Sequence, residues 1–184
     1  MNEFDALNEV LMSINEMPIA DVNDIDGYPL AQLCKKSLNT LRKECLSTGW
    51  NFNTLDLTFS PNPNKMIVIP NHYLAVISDN DTDIIVRDWK LFRKSTQSFI
   101  FTESITLNVV DDLPFNDLPF TCANYVVKLA SLQMFTEIVA DVNGISIRER
   151  AVRKAELEMK RFNRKLSPKA LTTGTFYTNL LDRS

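Results

Sequence analysis

Few residues in this chain combine a type and a spacing that chemistry could use, and each has a structural competitor. Residues 79–83 read Asp-Asn-Asp-Thr-Asp, which places oxygen ligands at alternate positions as the opening of a calcium-binding loop does. The pattern then fails, because Ile84 stands where the sharp turn needs glycine and Lys90 where a bidentate Glu would close the shell. A solvated β-turn is the expectation. The one histidine, His72, lies in a Pro-Asn-His-Tyr turn, which excludes a multi-histidine metal site and has no neighbouring nucleophile-elbow pattern. Asp111 and Asp112 are adjacent, so in a strand they point to opposite faces and cannot work as a catalytic carboxyl pair. The four glycines are isolated and none precedes a Lys-Ser or Lys-Thr pair, so no phosphate-cradling loop exists. Cys34, Cys45 and Cys122 are odd in number and far apart, which argues against a disulfide framework and for a reducing assembly compartment. No catalytic residue, cofactor site or metal site is expected.

The composition narrows the classes further. With 184 residues the chain fits one domain or two small ones sharing a core. Its 20 Lys plus Arg against 23 Asp plus Glu exclude a uniformly basic nucleic-acid binder. That near-balance hides a segregation: positions 1–33 hold seven carboxylates (Glu3, Asp5, Glu9, Glu16, Asp21, Asp24, Asp26) and no Lys or Arg, whereas the last predicted helix is heavily basic. The amphipathic, acidic start lacks the basic and apolar regions of a signal peptide, and no apolar run is long enough to span a bilayer, so no membrane partner is expected.

Periodicity supplies the elements that must position any site. Phe4, Leu7, Val10, Leu11 and Ile14 recur at helical spacing, with Pro18 as the expected stop. An acidic turn over 21–27 leads to Pro29, a suitable first helical residue, and a second helix striped by Leu30, Leu33, Cys34, Leu38, Leu41 and Cys45. Lys35, Lys36, Arg42 and Lys43 are expected on its flanks and Gly49 at its end. From Trp50 the period becomes that of a strand, through Leu55, Leu57 and Phe59, with a slip near Asn53 and Thr54 that marks a bulge or break. After a turn at 61–64, short β-branched and aromatic runs at 66–69, 73–77, 84–86, 89–92, 99–101 and 105–109 suggest an antiparallel meander.

Helical pattern returns over 119–140, where Cys122, Ala123, Val126, Val127, Ala130, Met134, Phe135 and Ile138 form a broad apolar face. A final helix is expected to start at Ser146, paired with Glu149 as a capping box, and to end at Pro168. Its apolar stripe is narrow (Ala151, Ala155, Met159, Phe162), and Arg148, Arg150, Arg153, Lys154, Lys160, Arg161, Arg164 and Lys165 crowd the remainder. Such a helix can be a solvated face balanced by Glu156 and Glu158, or a surface that meets phosphates or an acidic protein partner. The resulting class is α+β: a helix bundle from 1–49 and 113–166, an inserted antiparallel β domain over 50–112, and a C-terminal extension over 167–184.

The order of these landmarks resembles a known family. A Leu-Asn-Glu-Val-Leu-Met-Ser-Ile-Asn-Glu-Met-Pro-Ile start, a second helix ending in Leu-Ser-Thr-Gly-Trp-Asn-Phe-Asn, a middle containing Ile-Pro-Asn-His-Tyr, and a helix with Asn-Tyr-Val-Val-Lys-Leu-Ala-Ser-Leu-Gln-Met-Phe precede a charged helix. Together they resemble the tail tubular A proteins, head-to-tail adaptors of short-tailed bacteriophages (podoviruses), over residues 7–158. The most specific piece is 46–53, with Gly49, Trp50 and Phe52 in place.

The resemblance implies a structural virion protein at the head–tail junction, assembled in the host cytoplasm and without enzymatic activity. It implies a ring of about twelve copies, made by heterologous contacts between neighbours. The portal protein would lie on one side of that ring and the tail nozzle protein (tail tubular protein B) on the other, with genome DNA passing through the lumen without sequence-specific binding. The eight basic residues of the last helix are the candidates for contacts with a neighbouring subunit or partner. Phe176, Tyr177, Leu180 and Leu181, beyond the Pro168 stop, are candidates for portal docking. Two other classes compete: a tail-borne cell-wall or polysaccharide hydrolase, which would need two carboxylates facing one cleft, and an unrelated α+β interaction module.

Overall fold

A computed structural model describes residues 1–78 and 82–167. The fold is α+β, with helices contributed by both ends of the chain and antiparallel strands between them. Two compact units result, one from Met1–Arg42 with the chain from Pro114 onward and one from Lys43–Leu113.

In the first unit, α1 (Glu3–Ser13) is capped by Asn2, whose side chain accepts the Asp5 N–H. Its end comes five residues before Pro18. Asn15 adopts a left-handed conformation (φ 65°), and the Glu16 and Asn15 amides return to the Leu11 and Met12 carbonyls, satisfying the last turn without proline. A 3-10 turn, Val22–Gly27, then buries Ile25 and leads into α2 (Pro29–Ser47) with Pro29 in its first position. Along α2, Cys34, Leu38, Cys45 and Leu46 are buried as the stripe requires, but Leu33 is exposed and Arg42, expected on a flank, is buried.

The centre of this unit is α3 (Phe120–Ile138), which packs against both α1 and α4 (Val142–Lys165). Burial of Cys122, Ala123, Val126, Val127, Ala130, Ser131, Met134 and Phe135 accounts for its broad apolar face, while Ile138 is exposed. Full burial of one Leu- or Phe-sized side chain stabilises by about 1.5–3 kcal/mol, so α3 anchors the bundle. The last helix begins four residues earlier than Ser146. Asp141 is the cap, its carboxylate accepting the Gly144 N–H at 2.6 Å, and Ser146 lies within the helix body.

In the second unit, β1 (Thr54–Phe59) and β2 (Tyr73–Ile77) both pair antiparallel with β5 (Ile105–Asp111), giving the order β1-β5-β2. β3 (Ile84–Arg87) and β4 (Lys90–Arg93) form a separate hairpin. This differs from a meander, in which chain neighbours pair in sequence; here the last strand is inserted between the first two. Residues 66–69 and 99–101 are extended but join no named strand. Residues 66–69 lie along the hairpin through an isolated Val68–Lys90 bridge and the Ile69-to-Trp89 and Leu91-to-Ile67 amide bonds, while the Phe101 amide donates to the Lys65 carbonyl. Their side chains still build the core, where Ile67, Ile69, Ile84, Leu91, Phe101, Leu107 and Val109 cluster. The opposite face carries cross-strand polar pairs, Thr58 with Thr106 and Asp56 with Asn108.

Candidate functional site

The α4 helix buries Ala155 and Met159 and leaves its outer surface to charge. Arg150, Arg153, Lys154, Lys160, Arg161, Arg164 and Lys165 are all exposed. Local pairing neutralises two of them: Arg153 lies 3.8 Å from Glu149 and Lys160 2.5 Å from Glu156, each one turn apart. Leu157 is 53% exposed in the middle of this face, with Arg153 and Arg161 four residues away and Arg150 and Arg164 seven, spacings that place all four on the same side of the helix. Arginine is enriched in the parts of interfaces that carry energy, and an exposed apolar side chain among arginines gives such a surface a centre that gains from being covered.

Arg148 differs from the other seven. Its guanidinium stacks 3.5 Å from the centre of the Phe135 ring and donates to the Ser13 and Gly144 carbonyls. Partial burial lowers its pKa, while nearby Asp141 favours the charged form. The Ser13 carbonyl is at the end of α1, where unpaired carbonyls and the helix dipole favour a cation. Arg148 therefore ties the start of α4 to the end of α1 within the subunit. Gly144 permits this stack, because a Cβ there would fall 2.5 Å from the Phe135 ring.

Beside α1 runs a groove of about 410 Å³. Phe4, Leu7, Val22 and Ile25 supply apolar lining, while Glu3 and Asp21 contribute carboxylates and Lys35 the one cation. Exposed Asp24 and Asp26 continue the acidic character along the same 3-10 turn. Glu9 is already committed, paired with Lys128 on α3.

In the β unit, the Gly-Trp-Asn-Phe-Asn segment is a structural joint. Gly49 takes a left-handed φ of 73° just past α2, and its amide returns to Leu46. The strand expected from Trp50 is instead a turn, closed by Asn53. That side chain, 1% exposed, accepts from the Trp50 amide and donates to the Leu46 and Asp111 carbonyls, while the Trp50 indole donates to Cys45. One buried amide thus connects a helix end, a turn and the end of β5.

The residues first considered for chemistry are dispersed. Asp111 Oδ1 lies 4.0 Å from His72 Nε2, whereas Asp112 is 3.5 Å from Lys43 Nζ, so the adjacent carboxylates serve different partners. Asp79, Asn80 and Asp81 lie outside the described residues, but Asp83 accepts from the Ser95 hydroxyl and amide, and these bonds hold its pKa below the usual range. All three cysteines are buried and none forms a disulfide, and burial pushes the Cys34 thiol up to about 11. Among the described residues no group of three or more His, Cys, Asp or Glu could hold a metal ion, and no helix is long and apolar enough to cross a membrane.

Sequence reasoning overlooked two features. Val22, Ile25 and Asp21 come from a short turn with no periodicity, so nothing in the pattern foretold the groove. Trp89 had been expected as part of a strand. It sits with Asp88 at the hairpin tip, both at positive φ (57° and 49°) and the indole 48% exposed, where Asn-Gly would be the comfortable pair. Phe176, Tyr177, Leu180 and Leu181 lie outside the described residues.

The tail tubular protein A of Klebsiella phage KP34 is 30% identical over 162 residues, which cover 87% of this chain and 86% of that protein. The model of the tail tubular protein family matches residues 4–168, nearly all of the chain, and this chain therefore belongs to that family.

Proposed function

We propose that this structural tail protein is a head-to-tail adaptor, a ring of about twelve copies placed between portal and tail nozzle with the genome passing through its lumen. The observation that carries the reading is the separation of an acidic α1 groove from a basic α4 face on one bundle. A subunit with two unlike faces suits the heterologous contacts that close a ring. The exposed members of the basic set, from Arg150 to Lys165, are the contact candidates; Arg148 serves the subunit's own packing. The protein does no bond-breaking chemistry in this role, and a cell-wall zymogram with purified protein is expected to stay uncleared.

The reading is tested by electron microscopy of purified protein mixed with portal particles. A ring on the tail-facing side of the portal is the expected result, and bare portals at saturating protein would overturn it. Removing residues 168–184, which hold the four apolar docking candidates, is expected to abolish portal binding; undiminished binding would remove that segment from the docking role.

A further inference from the structure

We infer that the groove beside α1 receives the outer face of α4 from a second copy of this chain, with Leu157 seated against Val22 and Phe4. The inference rests on the ring reading and names the surfaces that make its repeating contact. Its first support is charge. Positions 1–33 carry seven carboxylates and no cation, and Glu3 and Asp21 line the groove with Asp24 and Asp26 exposed nearby. Arg150, Arg161 and Arg164 flank Leu157 with the opposite sign, beside Arg153, which is paired with Glu149. The second support is shape and polarity: an open apolar groove of about 410 Å³ has room for one leucine side chain, and both Val22 (54%) and Leu157 (53%) are exposed within the subunit. The third is topology. Because α4 uses its Ala155 and Met159 stripe within its own bundle, its arginine face is turned away from it and is available to another chain. Complementary patches of this kind set the register and the rate of association more than raw affinity. Lys35 also lines the groove, so charge alone does not select the partner and its apolar centre must contribute.

Two single-cysteine variants test the contact, Val22→Cys and Leu157→Cys, both at exposed positions in a chain whose own three cysteines are buried. They are mixed, assembled with portal particles or concentrated as free protein, and lightly oxidised. The expected result is a disulfide-linked dimer in the mixture and little in either variant alone, while the doubly substituted chain gives a ladder. Adding Arg150→Glu and Arg161→Glu to the Leu157→Cys chain should reduce the crosslink at least tenfold, and Asp24→Arg with Asp26→Arg on the Val22→Cys chain should restore it. Equal dimer from one variant alone would mean a symmetric contact and overturn the inference. So would the absence of crosslinks in rings that have formed on the portal, including the case in which residues 168–184 of the same chain occupy the groove. Rings without the crosslink leave the adaptor reading standing, whereas failure to form rings sinks that reading first.

Discussion

At the residue scale, the strongest tests fall on side chains that hold backbone together. Arg148→Ala removes a cation over the Phe135 ring and the donor to the Ser13 carbonyl, and is expected to cost about 2–3 kcal/mol in urea unfolding. Arg148→Lys should recover little, because an ammonium cannot stack and bridge two carbonyls as the planar guanidinium does. Asn53→Ala leaves the Trp50 amide and the Leu46 and Asp111 carbonyls without their buried partner, for a loss of about 3 kcal/mol. Asp83 gives a pH signature. Its folded pKa is depressed, chiefly by the Ser95 hydroxyl, so its stabilising contribution is present above the ordinary carboxylate range and lost as the pH falls through the lower folded value. Ser95→Ala should move the Asp83 titration upward toward its ordinary value, as followed by carboxyl NMR.

At the scale of elements, two tight joints carry residues that strain them. Ala140, between α3 and α4, has φ 54°, a conformation that glycine enters without a Cβ penalty. Ala140→Gly is therefore expected to stabilise the chain by about 0.5–1 kcal/mol, measured as a rise in thermal midpoint. Trp89 occupies a like position at the β3–β4 tip, and Trp89→Gly should relieve its strain in the same direction. How legible each element was depended on how local its cause is. The apolar stripe of α3 and the left-handed end of α2 at Gly49 follow from neighbouring residues and could be read directly. The ends of α1 and the start of α4 could not, since Asn15 and Asp141 act through single hydrogen bonds that weaker signals from Pro18 and Ser146 outweighed in the pattern. Strand order was hidden for another reason: the pairing of β5 between β1 and β2 joins residues 31 to 56 positions apart, beyond any local period.

At the scale of the whole molecule, the small net charge of -3 conceals two surfaces of opposite sign. Only half of that arrangement was legible. The acidic start and basic end stand out in the sequence, but the groove assembles from α1, the 3-10 turn and α2, and so exists only once they pack. Association through these faces should weaken as salt rises from 50 to 500 mM and the Debye length contracts from about 14 to about 4 Å, seen as a falling crosslink yield in the paired-cysteine assay. A crosslink yield that stays level or rises with salt would instead indicate apolar docking alone.

The burial of all three cysteines bears on how their thiols react. Cys34, raised to about 11 and fully buried, holds almost no thiolate at neutral pH. Oxidation or alkylation of these buried thiols therefore requires the fold to open first, so their reactivity reports local unfolding.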